Sequence, residues 1–218
     1  MSAAVGGGLA IGFASTPFGP AARAGTAAGA ATVNTWIRIG ADETITVLIG
    51  SSEMGQGVFT SLAQLVAEEL EVDWSQVRAE AAPADPLFAN PVTGAQLTGG
   101  SMSVRGYYVA LRTAGAAARD MLRRAASLTF GVPIRRCVAA HGTVTVKGTA
   151  SSATYGQLAA LAATLRVPQH PRLSAPANFR IIGTPVARLD LPDKVRGAAV
   201  YGVDVRVPGM QHAIVVHA

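Results

Sequence analysis

The chain has one cysteine in 218 residues, Cys137, so it can form no intrachain disulfide, CxxC pair or four-cysteine cluster site. That excludes zinc-finger and cysteine-ligated iron–sulfur chemistry from this chain. Aromatic residues are scarce, at 6%, and no Lys/Arg tract is interleaved with them, which argues against a nucleic-acid surface. Charged residues make up only 14% against 50% hydrophobic residues, a balance that argues against a disordered chain. Long apolar runs are missing too. The stretch 2–14, SAAVGGGLAIGFA, is too short and glycine-rich for a bilayer span, which takes about 20 apolar residues, so no transmembrane segment is expected. No GK[ST] follows a glycine loop, and GQGVFT lacks a third glycine, so the usual P-loop and the dinucleotide fingerprint are both absent.

Charge of one sign is missing from whole stretches. Residues 35–90 carry nine acids against Arg38 and Arg78, whereas 91–147 carry seven arginines and Lys147 against Asp120 alone. The basic half either meets a phosphate-bearing ligand or faces the acidic half within one fold. Residues 1–34 have a single charged side chain, Arg23. SAAVGGGLAIGFA has the form of a signal-peptide apolar region, and Ala22-Arg23-Ala24 that of a small-x-small cleavage site. The basic start of such a leader is missing. A leader over 1–31 and a flexible Ala/Gly tail both fit this composition.

What is present is regular periodicity. The stretches 35–40 and 44–50 alternate around ADE, which predicts a β-hairpin. Leu62, Leu65, Val66, Glu69 and Leu70 recur at helical spacing over 58–70. Glu68, Glu69 and Glu71 crowd the C-terminal end of that helix, where the macrodipole disfavours anions, so partners elsewhere are expected for them. A strand over 77–81, a Pro/Asp/Asn-rich loop to residue 91 and a long helix over 104–127 follow, with Gly115 in its middle. A hairpin over 135–147 turns at His141-Gly142, and a short helix is expected over 155–165. Cys137 lies in the first strand of that hairpin, where a buried thiol is expected. Residues 167–187 carry several prolines and suggest a linker, and the apolar end, HAIVVHA, suggests a strand.

Two glycine turns each open a helix. In EMGQG (53–57) Gly55 and Gly57 permit backbone conformations and close approaches that a Cβ would block. The helix start exposes free N–H groups, and Gln56 adds an amide that both donates and accepts, a combination suited to a pterin-like ring. Tight turns without any ligand also look like this. The second turn, TGGSMSVR (98–105), adds Gly99, Gly100, Ser101 and Ser103 at a helix start, which suits a phosphate. Together the two turns could grip two ends of an elongated cofactor. Glu53 is read as a hydrogen-bond partner that shapes its loop. His141, His170, His212 and His217 lack metal-ligand spacing and are read as surface residues.

In this order, SEMGQGVFTSLAQLVAEELEVDWSQV, APADPLFANPVTGAQLTGGSMSVR, LRTAGAAARDMLRRAA and FRIIGTPVARLDLPDKVRGAAVYGVDVRVPGM resemble the molybdenum hydroxylases of the xanthine oxidase family. The resemblance is to the molybdopterin-binding subunit of the isoquinoline 1-oxidoreductase β-subunit and periplasmic aldehyde dehydrogenase type. It implies an α+β fold, a mixed sheet packed with two main helices, over 32–166. It also implies a 167–187 linker and the start of a hammerhead domain over 188–218. It gives Gly55, Gln56 and Gly57 to the pterin of the molybdenum cofactor. Gly99, Gly100, Ser101, Met102 and Ser103 would then hold its phosphate, Met102 through its amide alone, where relatives often have Arg or Thr. The implied reaction is hydroxylation of an aldehyde or N-heterocycle with oxygen from water.

The cofactor expected by resemblance is molybdopterin cytosine dinucleotide with Mo. The 2Fe-2S clusters are expected on a small partner subunit, a cytochrome c subunit is a further possible partner, and the setting is periplasmic. If the leader does not function, the protein would stay in the cytoplasm. The family's GEPG-like motif with its catalytic glutamate is not in this sequence, so no catalytic or metal-ligating residue is assigned. The chain is expected to be the N-terminal portion of a longer polypeptide. A catalytically inactive remnant or assembly module, and a free-standing nucleotide-binding protein, are the alternatives.

Overall fold

The structure is a computed structural model that describes residues 9–11 and 36–216. The leader expected over 1–31 lies outside the described residues except for 9–11. The alternating stretches do form a hairpin, β2 (Ile37–Ile39) against β3 (Ile45–Ile49), with Ile37, Ile39, Ile45 and Val47 fully buried. Strand β1 (Leu9–Ile11) pairs antiparallel with β2. Helix α1 (Val58–Leu70) crosses from β3 to β4 (Val77–Ala81), which returns parallel to β3. The result is a mixed four-stranded sheet in the order β1-β2-β3-β4.

Helix α2 (Met102–Phe130) packs along α1 and buries Tyr107, Leu111, Ala114, Ala118 and Leu122. Gly115 lets the two helices approach: a Cβ there would stand 2.7 Å from the Val66 carbonyl oxygen. A second, antiparallel sheet of β5 (Cys137–Ala140), β6 (Thr143–Val146) and β7 (Ser152–Thr154) follows, then α3 (Tyr155–Ala163). Thr154 caps α3 through a capping box with Gln157. Cys137 is buried, and burial pushes its thiol pKa up, as befits an inert core residue. His141 occupies the expected turn, where its Nδ1 meets Asp73 Oδ1 at 2.6 Å on an exposed surface.

The acids at the end of α1 have the partners their misfit called for. Glu68, buried, accepts from the consecutive amides of Arg180, Ile181 and Ile182 at 2.7–3.1 Å. Glu69, also buried, pairs with Arg112 (2.6 Å) and accepts from the Ser174 amide at 2.9 Å. Arg119 reaches the carboxylates of Glu69 (3.7 Å) and Glu71 (3.4 Å) and donates to the Arg172 carbonyl. Charges of the acidic and basic halves therefore meet inside one fold. They also bind 172–182 down as a strap, with Ile181 buried in the core, so this stretch is anchored rather than a free linker.

After the strap comes the short helix α4 (Leu191–Val195). The terminal strand expected from HAIVVHA is not formed over its described residues, 212–216. Ile214, Val215 and Val216 are exposed, and this apolar run pairs with no strand among the described residues, so its backbone gains no ladder hydrogen bonds. No helix among the described residues is long and apolar enough to cross a membrane.

Candidate functional site

The two glycine turns lie side by side. The loop between β3 and α1 and the loop that precedes α2 are joined by the Ser52 N–H, which donates to Thr98 Oγ1 at 2.8 Å. Between them opens a cleft of about 350 Å³ lined by Met54, Gln56, Val58, Thr98, Gly99 and Ser101, with Ser61, Ser103 and Val104 completing its wall. Of the expected residues, Gln56, Gly99, Ser101 and Ser103 thus share one space. Gly55, Gly57, Gly100 and Met102 shape the loops behind them. Sequence reasoning gave no site role to Met54, Val58, Ser61, Thr98 or Val104. Met54 is 70% exposed at the cleft, and no local pattern in the sequence marked it.

The first loop is shaped by its own side chains. Gly55 (φ 101°) and Gly57 (φ 79°) adopt left-handed conformations that L side chains avoid. Glu53 gathers the amides they present: Oε1 accepts from Gly55 N–H (2.8 Å) and Gly57 N–H (2.9 Å), and Oε2 from Phe59 N–H (3.1 Å). Burial pushes the Glu53 carboxyl up, but the amides of Gly57, Phe59 and Gly55 outweigh it, and its pKa lies below the ordinary carboxylate value. The expectation that Glu53 shapes the loop holds. The expectation of free amides at the mouth of α1 holds only in part: this carboxylate occupies those of Gly57 and Phe59, and Val58 and Thr60 N–H are not among its partners. Gln56 is tied back as well: its Oε1 accepts from Met54 N–H at 2.5 Å and its Nε2 donates to the Ser52 carbonyl at 2.8 Å. Each end of the amide keeps one further hydrogen-bonding position.

The mouth of α2 differs. Its N-cap, Ser101, sits at φ 57° with no side-chain cap, and its first turn holds no acid. Met102 N–H donates to the Gly99 carbonyl at 3.1 Å, so the one contact assigned to Met102 is already engaged. Asn90 is fully buried and organises this loop: Nδ2 donates to the Met102 carbonyl (2.9 Å) and Oδ1 accepts from Val92 N–H (2.9 Å). Its place before Pro91 was the available signal, since Asn-Pro favours turn initiation. Gly99 has no left-handed φ, and nothing lies within 4 Å of where its Cβ would stand. Neither conformation nor packing within the chain calls for glycine there, and it faces the cleft. That open space suits a ligand in close contact with the backbone.

An α+β unit with two glycine turns meeting over one cleft defines a cofactor-cradling class of domain. Comparison with known families places it more closely: the model of the molybdopterin cofactor-binding domain matches residues 2–213, and the chain belongs to that family. Relatives include the β-subunit of isoquinoline 1-oxidoreductase from Brevundimonas diminuta, 33% identical over 94% of this chain. A membrane-bound aldehyde dehydrogenase of Gluconacetobacter polyoxogenes, whose name assigns it pyrroloquinoline-quinone, is 34% identical over 80%. A nicotinate dehydrogenase subunit of Pseudomonas putida is 30% identical over 83%. The chain spans only 31%, 22% and 15% of the lengths of these three relatives. Among solved structures, a Cu,Mo-CO dehydrogenase matches 57% of this chain and 15% of its own at 24% identity, with a TM-score of 0.45.

Proposed function

We propose that this chain is the N-terminal part of a molybdopterin-binding subunit of an oxidoreductase that hydroxylates aldehydes or N-heterocycles with oxygen taken from water. The observation that carries this reading is the shared cleft between Gln56 and Ser101. The residues fit the cofactor at both ends. At α2 the uncapped helix start, with Ser101 and Ser103 beside it, suits the phosphate. At α1 the Glu53 carboxylate already sets a negative charge on the helix start, which disfavours a second anion and suits an uncharged ring with mixed donors and acceptors. Gln56 would meet that ring with its remaining N–H and lone pair, and Gly99 would let the phosphate approach the backbone.

When bound, the cofactor supplies the two-electron oxidation chemistry. The part of this chain is to bind it, orient it and hold its phosphate. The cytosine dinucleotide form, the rest of the polypeptide, a 2Fe-2S small subunit, a cytochrome c subunit and a periplasmic setting complete the proposal. Cys137 alone cannot ligate a cluster, so any cluster would be held outside this chain.

A second reading, a catalytically inactive remnant or assembly module, is favoured by one observation. Val203, Ile214 and Val216 are about four-fifths exposed, as in a surface that pairs with another chain. Co-expression with the polypeptide encoded downstream separates the readings. The enzyme reading expects about one molybdenum and one pterin per chain, with dye-linked aldehyde or N-heterocycle oxidation. A stable complex without pterin or molybdenum would support the assembly module, and bound pyrroloquinoline-quinone in place of pterin would overturn the cofactor assignment.

A further inference from the structure

Outside the two loops, one cluster of charged side chains reaches into the first of them from a distant part of the chain. Arg188, 133 positions from Gly55, donates from Nη1 to the Gly55 carbonyl at 3.2 Å. Its Nη2 lies 3.4 Å from Glu53 Oε1, the oxygen that gathers the Gly55 and Gly57 amides. Asp190 grips the same guanidinium from the other side, Nε to Oδ1 at 3.0 Å and Nη2 to Oδ2 at 2.8 Å. Lys194, one turn along α4, pairs with Asp190 in turn. The Leu189 N–H donates to Thr60 Oγ1 at 3.1 Å, which docks the segment on the first turn of α1.

These contacts supply what the loop lacks. No atom lies within 4 Å of where a Cβ would stand on Gly55 or Gly57, so packing does not fix either residue. Glu53 and Gln56 tie the loop from within, and Arg188 braces it from outside by meeting both the Glu53 carboxylate and the Gly55 carbonyl. A guanidinium locked by a bidentate carboxylate is a planar fork of fixed direction, which an ammonium group cannot imitate. Arg188 also sets a positive charge against Glu53, and with Asp190 and Lys194 the four groups form a cluster without net charge.

We propose that Arg188, oriented by Asp190, is a positioning residue that holds the 53–57 loop in its cofactor-receiving shape. The site is thus built jointly by the glycine loop and by the segment that follows the strap. The inference rests on the assignment of that loop to molybdopterin. Residues 188–190 consequently act with the cofactor-binding unit, although resemblance alone puts them at the start of the next domain.

Hydrogen–deuterium exchange on the full chain tests this with R188A and R188K. R188A is expected to speed exchange of the Gly55, Gly57 and Phe59 amides at least tenfold while β4 and α2 keep their protection. R188K is expected to recover only part of that protection, since it restores the charge without the fork. Unchanged loop exchange in R188A, or faster exchange across every element alike, would overturn the inference. Molybdenum and pterin retention in the complex with the downstream polypeptide separates this inference from the functional reading beneath it. A loosened loop with lost cofactor supports both. A loosened loop with full cofactor overturns the assignment of the loop to molybdopterin, and with it the role given to Arg188.

Discussion

Ser52 and Thr98, 46 positions apart, meet through a single backbone-to-hydroxyl hydrogen bond of 2.8 Å, and that bond closes the cleft between the two glycine loops. T98V keeps the shape of the side chain and removes the acceptor. The loss is expected to cost about 1 kcal/mol, a fall of roughly 2–4 °C in melting temperature for a chain of this size. Cofactor occupancy should fall with it. T98S, which keeps the hydroxyl, should melt and load as the wild type does; equal behaviour of T98V and T98S would remove this bond from the site.

Gly99 separates a folding role from a binding one. Nothing in the chain stands near its Cβ position and its φ is not left-handed, so G99A should leave the melting temperature unchanged or slightly raised. The added methyl projects into space assigned to the cofactor. Molybdenum and pterin content per chain should fall severalfold. A variant that loads fully would show that the backbone here is not approached by the ligand.

Much of the fold was legible in the sequence. Helix α1 and strand β4 occupy the residues their periodicity assigned, because an apolar stripe and a short alternating run are local signals. Helix α2 runs from Met102 to Phe130, two residues earlier and three later than expected, with Gly100 and Ser101 both left-handed just before it. The cleft was legible only as two separate turns. The contacts that join and brace it, Ser52 to Thr98 and Arg188 to Gly55, link residues far apart in the chain and leave no local pattern. The strap was half legible: three acids at a helix end announced missing partners, while prolines along 167–187 disguised those partners as a tether.

Glu68 holds the strap through backbone amides alone, and this makes it testable. E68Q keeps the shape but loses the charge and sets an NH2 group against N–H donors. Charge-assisted bonds of this kind are worth about 1.5–3 kcal/mol, so urea unfolding should register a loss of that order. Trypsin should cut faster after Arg172 and Arg180, which the strap otherwise keeps close to the fold. E80Q, whose side chain is 56% exposed and pairs only with the exposed Arg38, serves as the control and should change neither measurement appreciably.

Acid should loosen the first loop in a defined window. Arg188 holds Asp190 well below the ordinary carboxylate value, at about 2, with Lys194 helping against the opposing effect of burial. The Glu53 pKa is lowered as well. A depressed carboxylate stabilises the fold fully above its unfolded pKa, about 4, and that stability is lost as pH falls through the folded value. The melting-temperature difference between wild type and D190N should therefore be constant from pH 7 to 5 and shrink from about pH 4 toward 2. A difference that persists unchanged to pH 2 would contradict the coupling of Asp190 to Arg188.

On the proposed function both glycine loops receive one molecule, the ring at Gln56 and the phosphate at Gly99, Ser101 and Ser103. A crystal structure of the cofactor-loaded protein in complex with its downstream polypeptide measures this directly. The expected result is a pterin within hydrogen-bonding distance of Gln56 and a phosphate at the start of α2 beside Ser101 and Ser103. A cofactor bound away from this cleft, or one that touches only one of the two loops, would contradict it.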